Sequence, residues 1–523
     1  MREHERTDPT MISPELQNLK NFFTEKKDVN FWRVATLLQT LFPEGEVYLV
    51  GGMTRDLARD MPSHDYDFVI RNIAPHDVER QLRTAGSVEL VGKTFGVFKW
   101  KPQGWETHID VALPRTDHAL GTGGYKDVEV QSDPTIHIHQ DLERRDFTIN
   151  AIAVRLNDGE VFDPFDGIQD IAQKTIRAVG NPEQRFQEDY SRILRCLRFV
   201  CQLGYTIEET TSQTVELLIP RINDQLTDGN WLVPRELVAK EMIKAFISNP
   251  TQALDIYNTY HALPLLLPGI EEMKTCPQPK NWHAEGDVYT HTRLALSLLS
   301  SPEFERECGE SYQSLKTHNP RQAALIVFGT LFHDIGKPQT IETPEHNGTD
   351  RIRFNNHDSV GAMMTANLCD HLALSSPEEV GIDCGNLAWI VRYHMVHAMG
   401  DISEMKNTTL EKYFFNPNVP GDAMLKVMWL DASATIEQEG NKPAITGYTA
   451  LNKRLAQVKT LVDERNRLPA PLVSGNEIMD ILHIPAGPAL GIIIDALREE
   501  QLKGTISTKE QALEYLKNNH ETI

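Results

Sequence analysis

An α+β head followed by a long, mostly α-helical remainder is the fold class this sequence predicts, on three observations. Between Val47 and Val179 short β-type runs alternate with helical stretches. At Gly180 the texture changes: Asn181-Pro182 is a helix-start pair, and helical periodicity continues from there. At 523 residues the chain is too long for one core, so about three or four domains are expected.

Residues 1–44 read as a helical extension. Leu16, Leu19, Phe22 and Phe23, then Phe31, Val34, Leu37, Leu38 and Leu41, recur at amphipathic spacing. The head, 45–180, holds the apolar runs Val47–Val50, Phe68–Ile70, Val88–Val91, Gly96–Trp100, His108–Val111 and Ala151–Val154. Residues 115–140 are polar, contain Gly121-Thr122-Gly123-Gly124, and read as a mobile loop. A helical neck and body, 181–275, follows. Residues 276–440 are helical and rich in histidine, and 441–523 form a last segment ending in helices.

At 40% hydrophobic and 24% charged residues, the composition is that of a globular protein. No apolar run approaches the ~20 residues that span a bilayer, and the first ten residues carry no apolar signal core. No membrane association is expected. The six cysteines form no C-x-x-C pair and read as reduced thiols of a cytoplasmic protein. A formal net charge of −22 argues against a broad non-specific nucleic-acid surface and leaves an RNA partner to a local basic patch. The oligomeric state cannot be read from the sequence.

The head is organised around Val47–Ile70. A buried strand ends in Gly51-Gly52, where the backbone can turn tightly and approach a ligand. Arg55 follows on a helix turn, and Asp65-Tyr66-Asp67 opens the next strand. Carboxylates at i and i+2 of a strand point the same way and repel unless a cation lies between them. Magnesium prefers oxygen ligands and shares them with phosphates. Asp110, in H-I-D-V-A, sits on another apolar strand, which as a neighbour would bring a third carboxylate. Three acids around two magnesium ions suit in-line phosphoryl transfer.

In R-R-D-F-T-I-N, Arg144 and Arg145 can grip phosphates with forked hydrogen bonds, and Asp146 and Asn150 suit ribose hydroxyls. The stretch 187–200 reads as one helix with an apolar stripe. Asp189, Arg192 and Arg195 lie off that stripe, with Asp189 and Arg192 as i, i+3 neighbours. A carboxylate accepts from the exocyclic amine of cytosine or adenine, and an arginine donates to the ring acceptors; guanine and uracil present the wrong pattern.

These blocks, G-G-M-T-R-D-L with H-D-Y-D-F-V-I, R-R-D-F-T-I-N-A, D-P-F-D-G-I-Q-D-I and V-G-N-P-E-Q-R-F-Q-E-D-Y-S-R-I-L-R, resemble the class II tRNA nucleotidyltransferases, the bacterial CCA-adding enzyme and poly(A) polymerase family. The resemblance covers roughly residues 45 to 205. It implies a polymerase-β-like head and template-independent addition of CMP and AMP, from CTP and ATP, to the tRNA 3′ end. Asp65 and Asp67 would bind Mg²⁺; Arg144, Asp146 and Asn150 would bind nucleotide; Asp189 and Arg192 would act as a protein template. The family also contains poly(A) polymerases and enzymes that add only CC or only A. The head could instead be an inactive RNA-binding module serving a hydrolase. Two departures stand out: Pro114 replaces the usual aromatic, and the neck helix 233–246 follows the family pattern loosely.

A second site is expected in 276–440. His333-Asp334 closes an apolar helix as H-D-I-G-K, with His291 upstream and His357, His394 and Asp431 downstream. Imidazoles and carboxylates converging from several helices suit Ni²⁺, Mn²⁺, Fe²⁺ or Mg²⁺. The set resembles an HD-type phosphohydrolase domain. The resemblance implies His291, His333, Asp334 and Asp431 as minimal ligands, with His357 and His394 for a second ion.

Overall fold

The computed structural model describes residues 13–63, 65–91, 96–119, 123–124, 128–398, 402–467, 471–485, 487–502 and 505–519. Gly121, Thr122 and His64 therefore lie outside the described residues. The chain forms two compact units: residues up to Met395 with Ala423–Ala444, and Val396–Asp422 with Ile445–Ile523.

Helices α1 (Pro14–Glu25) and α2 (Val29–Leu41) are each started by a side-chain cap, Ser13 and Asp28. The head sheet contains β1 (Glu46–Val50), β2 (Asp67–Arg71), β3 (Gly86–Val91), β4 (Val97–Pro102), β5 (Ile109–Ala112), β8 (Ala153–Arg155) and β9 (Val161–Phe162), in the order β3-β4-β5-β2-β1-β8-β9. Within this sheet β2 and β5 pair parallel and the other neighbours pair antiparallel. Strand alternation assigns the faces. Phe68 lies under Phe31 of α2, with ring centroids 6.1 Å apart. Tyr48, Val50 and Val69 pack on the other side with Ile138 and Leu142. The aromatic residues of the N-terminal helices thus cover one face of the sheet.

Helix α3 (Gly52–Ala58) follows β1 directly, α4 (Pro75–Thr84) follows β2, and α5 (Ile138–Glu143) precedes Arg144. Within 115–140, expected to be a loop, the described residues include a β-ribbon: β6 (Arg115–Ala119) pairs antiparallel with β7 (Val128–Ser132). β6 (R-T-D-H-A) carries no apolar alternation, and β7 alternates only over Val128, Glu129, Val130 and Gln131, a run at the lower limit of a strand signal.

Helix α6 (Gly167–Ala172) and the short strand β10 (Thr175–Ile176) close the head. The expected single helix over 187–200 is two helices, α7 (Pro182–Glu188) and α8 (Ser191–Leu203). Asp189 is extended (φ −158°, ψ 101°), and its Oδ1 accepts from Ser191 N at 2.9 Å. That local bond competes with the helix, while Phe186 and Tyr190 keep the apolar stripe buried across the break. Beyond β11 (Thr206–Ile207) and α9 (Glu209–Leu218), α10 (Arg235–Ser248) packs on α8.

The remainder is helical. The helices that matter for the second site are Val288–Leu298, Pro320–Phe332, His357–Leu372, Cys384–Tyr393 and Gly421–Ala434. In the second unit, Gly475–Leu482 starts with a Ser474/Glu477 capping box and shares a core with Ile493, Leu497, Ile506 and Leu516. All six cysteines are free thiols, and no described helix is long and apolar enough to cross a membrane.

Candidate active site and metal cage

Strand register assembles the acids. Asp67 opens β2 and pairs with Val50 on one side and Asp110 on the other. Asp65, two residues earlier and exposed, shares Asp67's side, while Tyr66 turns the other way onto Phe31. The i, i+2 spacing thus separates a metal-type pair from a packing residue. Gly51 has φ +80°, and a Cβ there would lie 2.9 Å from Asp67 Oδ2; only glycine lets the chain pass over the acids. Burial, then the charge of Asp65, pushes Asp67 up to about 7, with Asp110 adding and Arg145 opposing. Burial and Asp65 raise Asp110 too, against Lys99. Oxygen-only donors with unrelieved negative charge fit a hard divalent cation.

The candidate nucleotide residues share one cleft of about 1370 Å³ with the acids: Gly51, Gly52, Arg55, Arg144, Arg145, Asp146, Asn150, Asp189, Arg192 and Arg195 all line it. Within it they divide into two groups. Arg55 is buried, donating from Nη1 to Asn150 Oδ1 (2.9 Å) and from Nε to Asp56 (3.0 Å). Asp146 is 8% exposed. It accepts from Phe147 N, from Asn150 Nδ2, and from Arg195 Nε and Nη2 at 2.9 and 2.6 Å. Burial works against its charge, but Arg195 outweighs it and holds the carboxyl well below the usual range. Asp146 therefore braces Asn150 and Arg195. Arg144 and Arg145 both lean on the buried Asp141, and Arg145 also reaches Asn150 O at 3.3 Å.

The expected Asp189–Arg192 helical pair does not form, because the helix is broken between them. Arg192 instead donates from Nη1 to Glu188 Oε2 (2.7 Å) and Arg185 O (3.0 Å), and from Nη2 to Arg144 O (3.1 Å). Glu188, shared with Arg185 at 2.7 Å, is a site residue the sequence reading passed over. Its signal was its i, i+4 spacing to Arg192. Both Asp189 and Arg192 still line the cleft. Behind them Arg198 Nε reaches the buried Glu241 of α10 at 2.6 Å, a cross-helix tie that needs the fold to be seen.

The six candidates of the second site converge from five helices. His291, His333 and Asp431 form one ligand group, and Asp334, His357 and His394 another. The hydrogen bonds of the histidines follow one rule. His333 Nδ1 lies 2.7 Å from Thr330 O, His357 Nδ1 2.8 Å from Phe354 O, and His394 Nδ1 2.8 Å from Val391 O. His291 Nδ1 lies 2.9 Å from Glu285 Oε1. Each ring thus spends its Nδ1 proton outward and offers Nε2 inward, the tautomer a metal needs. His333 Nε2 and His291 Nε2 stand 3.3 Å apart, and two facing lone pairs call for a cation or proton between them. His357 Nε2 is 3.6 Å from Asp334 Oδ1 and has no hydrogen-bond partner among the described residues. Burial opposes a charge on His291, yet Asp431 and Glu285 push it up to about 9. The donor set fits a metal. The sequence reading missed Glu285, which also binds His283 at 2.7 Å, and Lys337, 2.7 Å from Asp334 Oδ2. Glu285 lay in the W-H-A-E-G-D run beside His291.

Residues 47–177 match the model of the poly A polymerase head domain, and residues 294–436 that of the HD domain. An A-adding tRNA nucleotidyltransferase from Deinococcus radiodurans is 28% identical over 475 residues, 90% of this chain and 94% of that protein. A multifunctional CCA protein from Nitrosococcus oceani is 32% identical over 356 residues, 67% of this chain and 75% of that protein. The structure of the Bacillus stearothermophilus CCA-adding enzyme in complex with CTP shares the fold, with a TM-score of 0.53 over 95% of this chain and 98% of that one, at 20% identity. By these matches this protein belongs to the class II tRNA nucleotidyltransferase family of CCA-adding enzymes and carries an HD domain.

Proposed function

We propose that this chain adds CMP and AMP from CTP and ATP to the 3′ end of tRNA, building CCA without a nucleic-acid template. The observation that carries this reading is the register Asp67–Asp110, which joins the D-x-D pair and a third acid on the floor of the cleft that Asp189 and Arg192 also line. A head of this family uses a divalent ion. Mg²⁺, held by Asp65, Asp67 and Asp110, would neutralise triphosphate charge and favour the ionised 3′-hydroxyl. The 3′-oxygen attacks the α-phosphorus, the bond to the β-phosphate oxygen breaks, and pyrophosphate leaves. Arg144 and Arg145 grip the phosphates. Asp189 accepts from the amine of cytosine or adenine and Arg192 donates to the ring. Asp146 acts through Arg195 and Asn150, so it is a positioning residue.

A second activity, hydrolysis of a phosphoester, is proposed for the cage: His291, His333, Asp334 and Asp431, with His357 and His394, would hold Ni²⁺, Mn²⁺, Fe²⁺ or Mg²⁺, which would supply Lewis-acid polarisation of a phosphoryl oxygen. The free thiols and the absence of membrane-crossing helices among the described residues favour the cytoplasm.

Purified protein with Mg²⁺ is given tRNA ending at the discriminator base and tRNA ending in CC, each with CTP, ATP or both. CCA addition requires CTP on the first RNA and ATP on the second. The long match to an A-adding relative supports a second reading, in which only the CC-ended RNA is extended. Long A tails on unrelated RNA would instead indicate a poly(A) polymerase.

A further inference from the structure

The cleft has a wall that neither the acids nor the base selector uses. Helix α10 turns Leu237, Lys240 and Lys244 into it, a spacing of three and four that marks one helix face. Lys99 stands on β4 directly across from Asp110 and lines the same cleft. Lys316 extends the line into the HD domain, its Nζ donating to Ser248 O at 3.1 Å. In a chain of net charge −22, this cleft wall is a local reversal of sign.

One acid of the HD domain pairs with this wall from outside the cleft. Glu379 Oε2 lies 2.7 Å from Lys244 Nζ. Lys244 first, then Lys240 and Lys99, hold the Glu379 carboxyl below its ordinary range. The neighbouring Val380 lines the cleft. The backbone carrying Glu379 is pinned: Arg321 donates to Glu378 O, Gly381 N to Pro377 O at 2.7 Å and Ile382 N to Leu374 O at 2.9 Å. The ion pair itself is open to water, with side chains 31% and 70% exposed. Such a pair is weak and is screened further by salt. A carboxylate and a phosphate oxygen offer an ammonium the same kind of acceptor, so a polyanion can take the place of Glu379.

We propose that Lys99, Lys240 and Lys244 form the track for the phosphodiester backbone of the RNA acceptor end, and that Glu379 occupies this track in the free protein as a counter-anion that RNA displaces. The proposal rests on the nucleotidyl-transfer reading. Lys99, beside Asp110, and Lys240 and Lys244, on α10, line one cleft, and Glu379 pairs with Lys244 at the end of that line. The HD domain thereby sets the RNA affinity of the head.

The test is equilibrium binding, in chelator and without nucleotide, of tRNA ending at the discriminator base to the full chain and to Glu379→Gln, Lys244→Ala and the double variant. Glu379→Gln tightens binding by about two- to fivefold, the range of an exposed ion pair, and lowers KM for tRNA with KM for CTP unchanged. Lys244→Ala weakens binding and lowers the slope of log Kd against log salt by about 0.7–0.9. In the Lys244→Ala background, Glu379→Gln gains less than in the parent. A purely structural Glu379 predicts the opposite sign, a lower Tm with equal or weaker binding, and that result overturns the proposal. So does an unchanged salt slope in Lys244→Ala. Nucleotide addition by the parent is scored separately: no addition defeats the functional reading, whereas addition with unaltered binding in Glu379→Gln defeats only this proposal.

Discussion

The acid floor of the head and the histidine cage of the HD domain both suit cations, and they are built in opposite ways. The floor is three carboxylates at adjacent strand ends, one of them exposed, with a glycine turn above them. It offers few ligands and leaves room for substrate oxygens. The cage draws six candidate ligands from five helices and ties each imidazole at Nδ1 by a hydrogen bond. The floor is completed by what it acts on, and the cage is complete within the protein. If both hold ions, the floor suits one shared with substrate and the cage one held by the protein alone.

The sharpest way to break this comparison is to empty the cage. His333→Ala or Asp334→Ala should cut the metal retained through gel filtration by more than about 10²-fold and abolish hydrolysis of p-nitrophenyl phosphate esters with Ni²⁺ or Mn²⁺. Nucleotide addition should stay within about twofold, since the sites share no partners. Equal losses in both assays would make the two sites one.

Next in size is the brace under the floor. Asp146→Ala leaves Arg195 without its two-pronged acceptor and Asn150 without its anchor. Denaturant unfolding should show a loss of about 1.5–3 kcal/mol, with nucleotide KM raised.

The floor's unrelieved charge gives a pH signature. Asp67 is pushed up to about 7 in the fold from an ordinary 3.8. The folded state therefore holds a proton that the unfolded chain releases, and stability is lost as pH rises from about 4 through 7. In chelator, Asp67→Asn should raise Tm at pH 8 and leave it unchanged at pH 4.5. Mg²⁺ should stabilise the parent at pH 8 and the variant less. An equal gain at both pH values would remove repulsion as the cause.

The smallest effect is expected at Glu188, which ties Arg192 to Arg185. Glu188→Gln should loosen Arg192 and lower the preference for C and A over U and G by about tenfold or less, read from misincorporation with single nucleotides.

Much of this architecture was legible in the chain. An apolar strand ending in G-G, another opened by D-x-D, and histidines at helix ends are local patterns, and their elements formed where the spacing put them. The break at Asp189 was hidden because the buried stripe of Phe186, Tyr190 and Ile193 runs across it, while one side-chain bond to Ser191 N decides the backbone. The β6–β7 ribbon was missed because β6 is polar throughout its first four residues and the alternation of β7 is only four residues long. Glu241 and Lys99 belong to the cleft, and Glu379 meets Lys244, only through long-range packing, which no local pattern encodes. The order of strands β5 and β2, which makes Asp110 a neighbour of Asp67, is likewise a property of the sheet.

The central claim is that the acid floor performs nucleotidyl transfer, and sequencing tRNA 3′ ends after incubation with CTP, ATP and Mg²⁺ tests it most directly. The account predicts CCA ends with the parent and a fall of at least about 10³-fold for Asp65→Ala/Asp67→Ala, with the double variant still folded and still binding tRNA. Undiminished incorporation by that variant would contradict it.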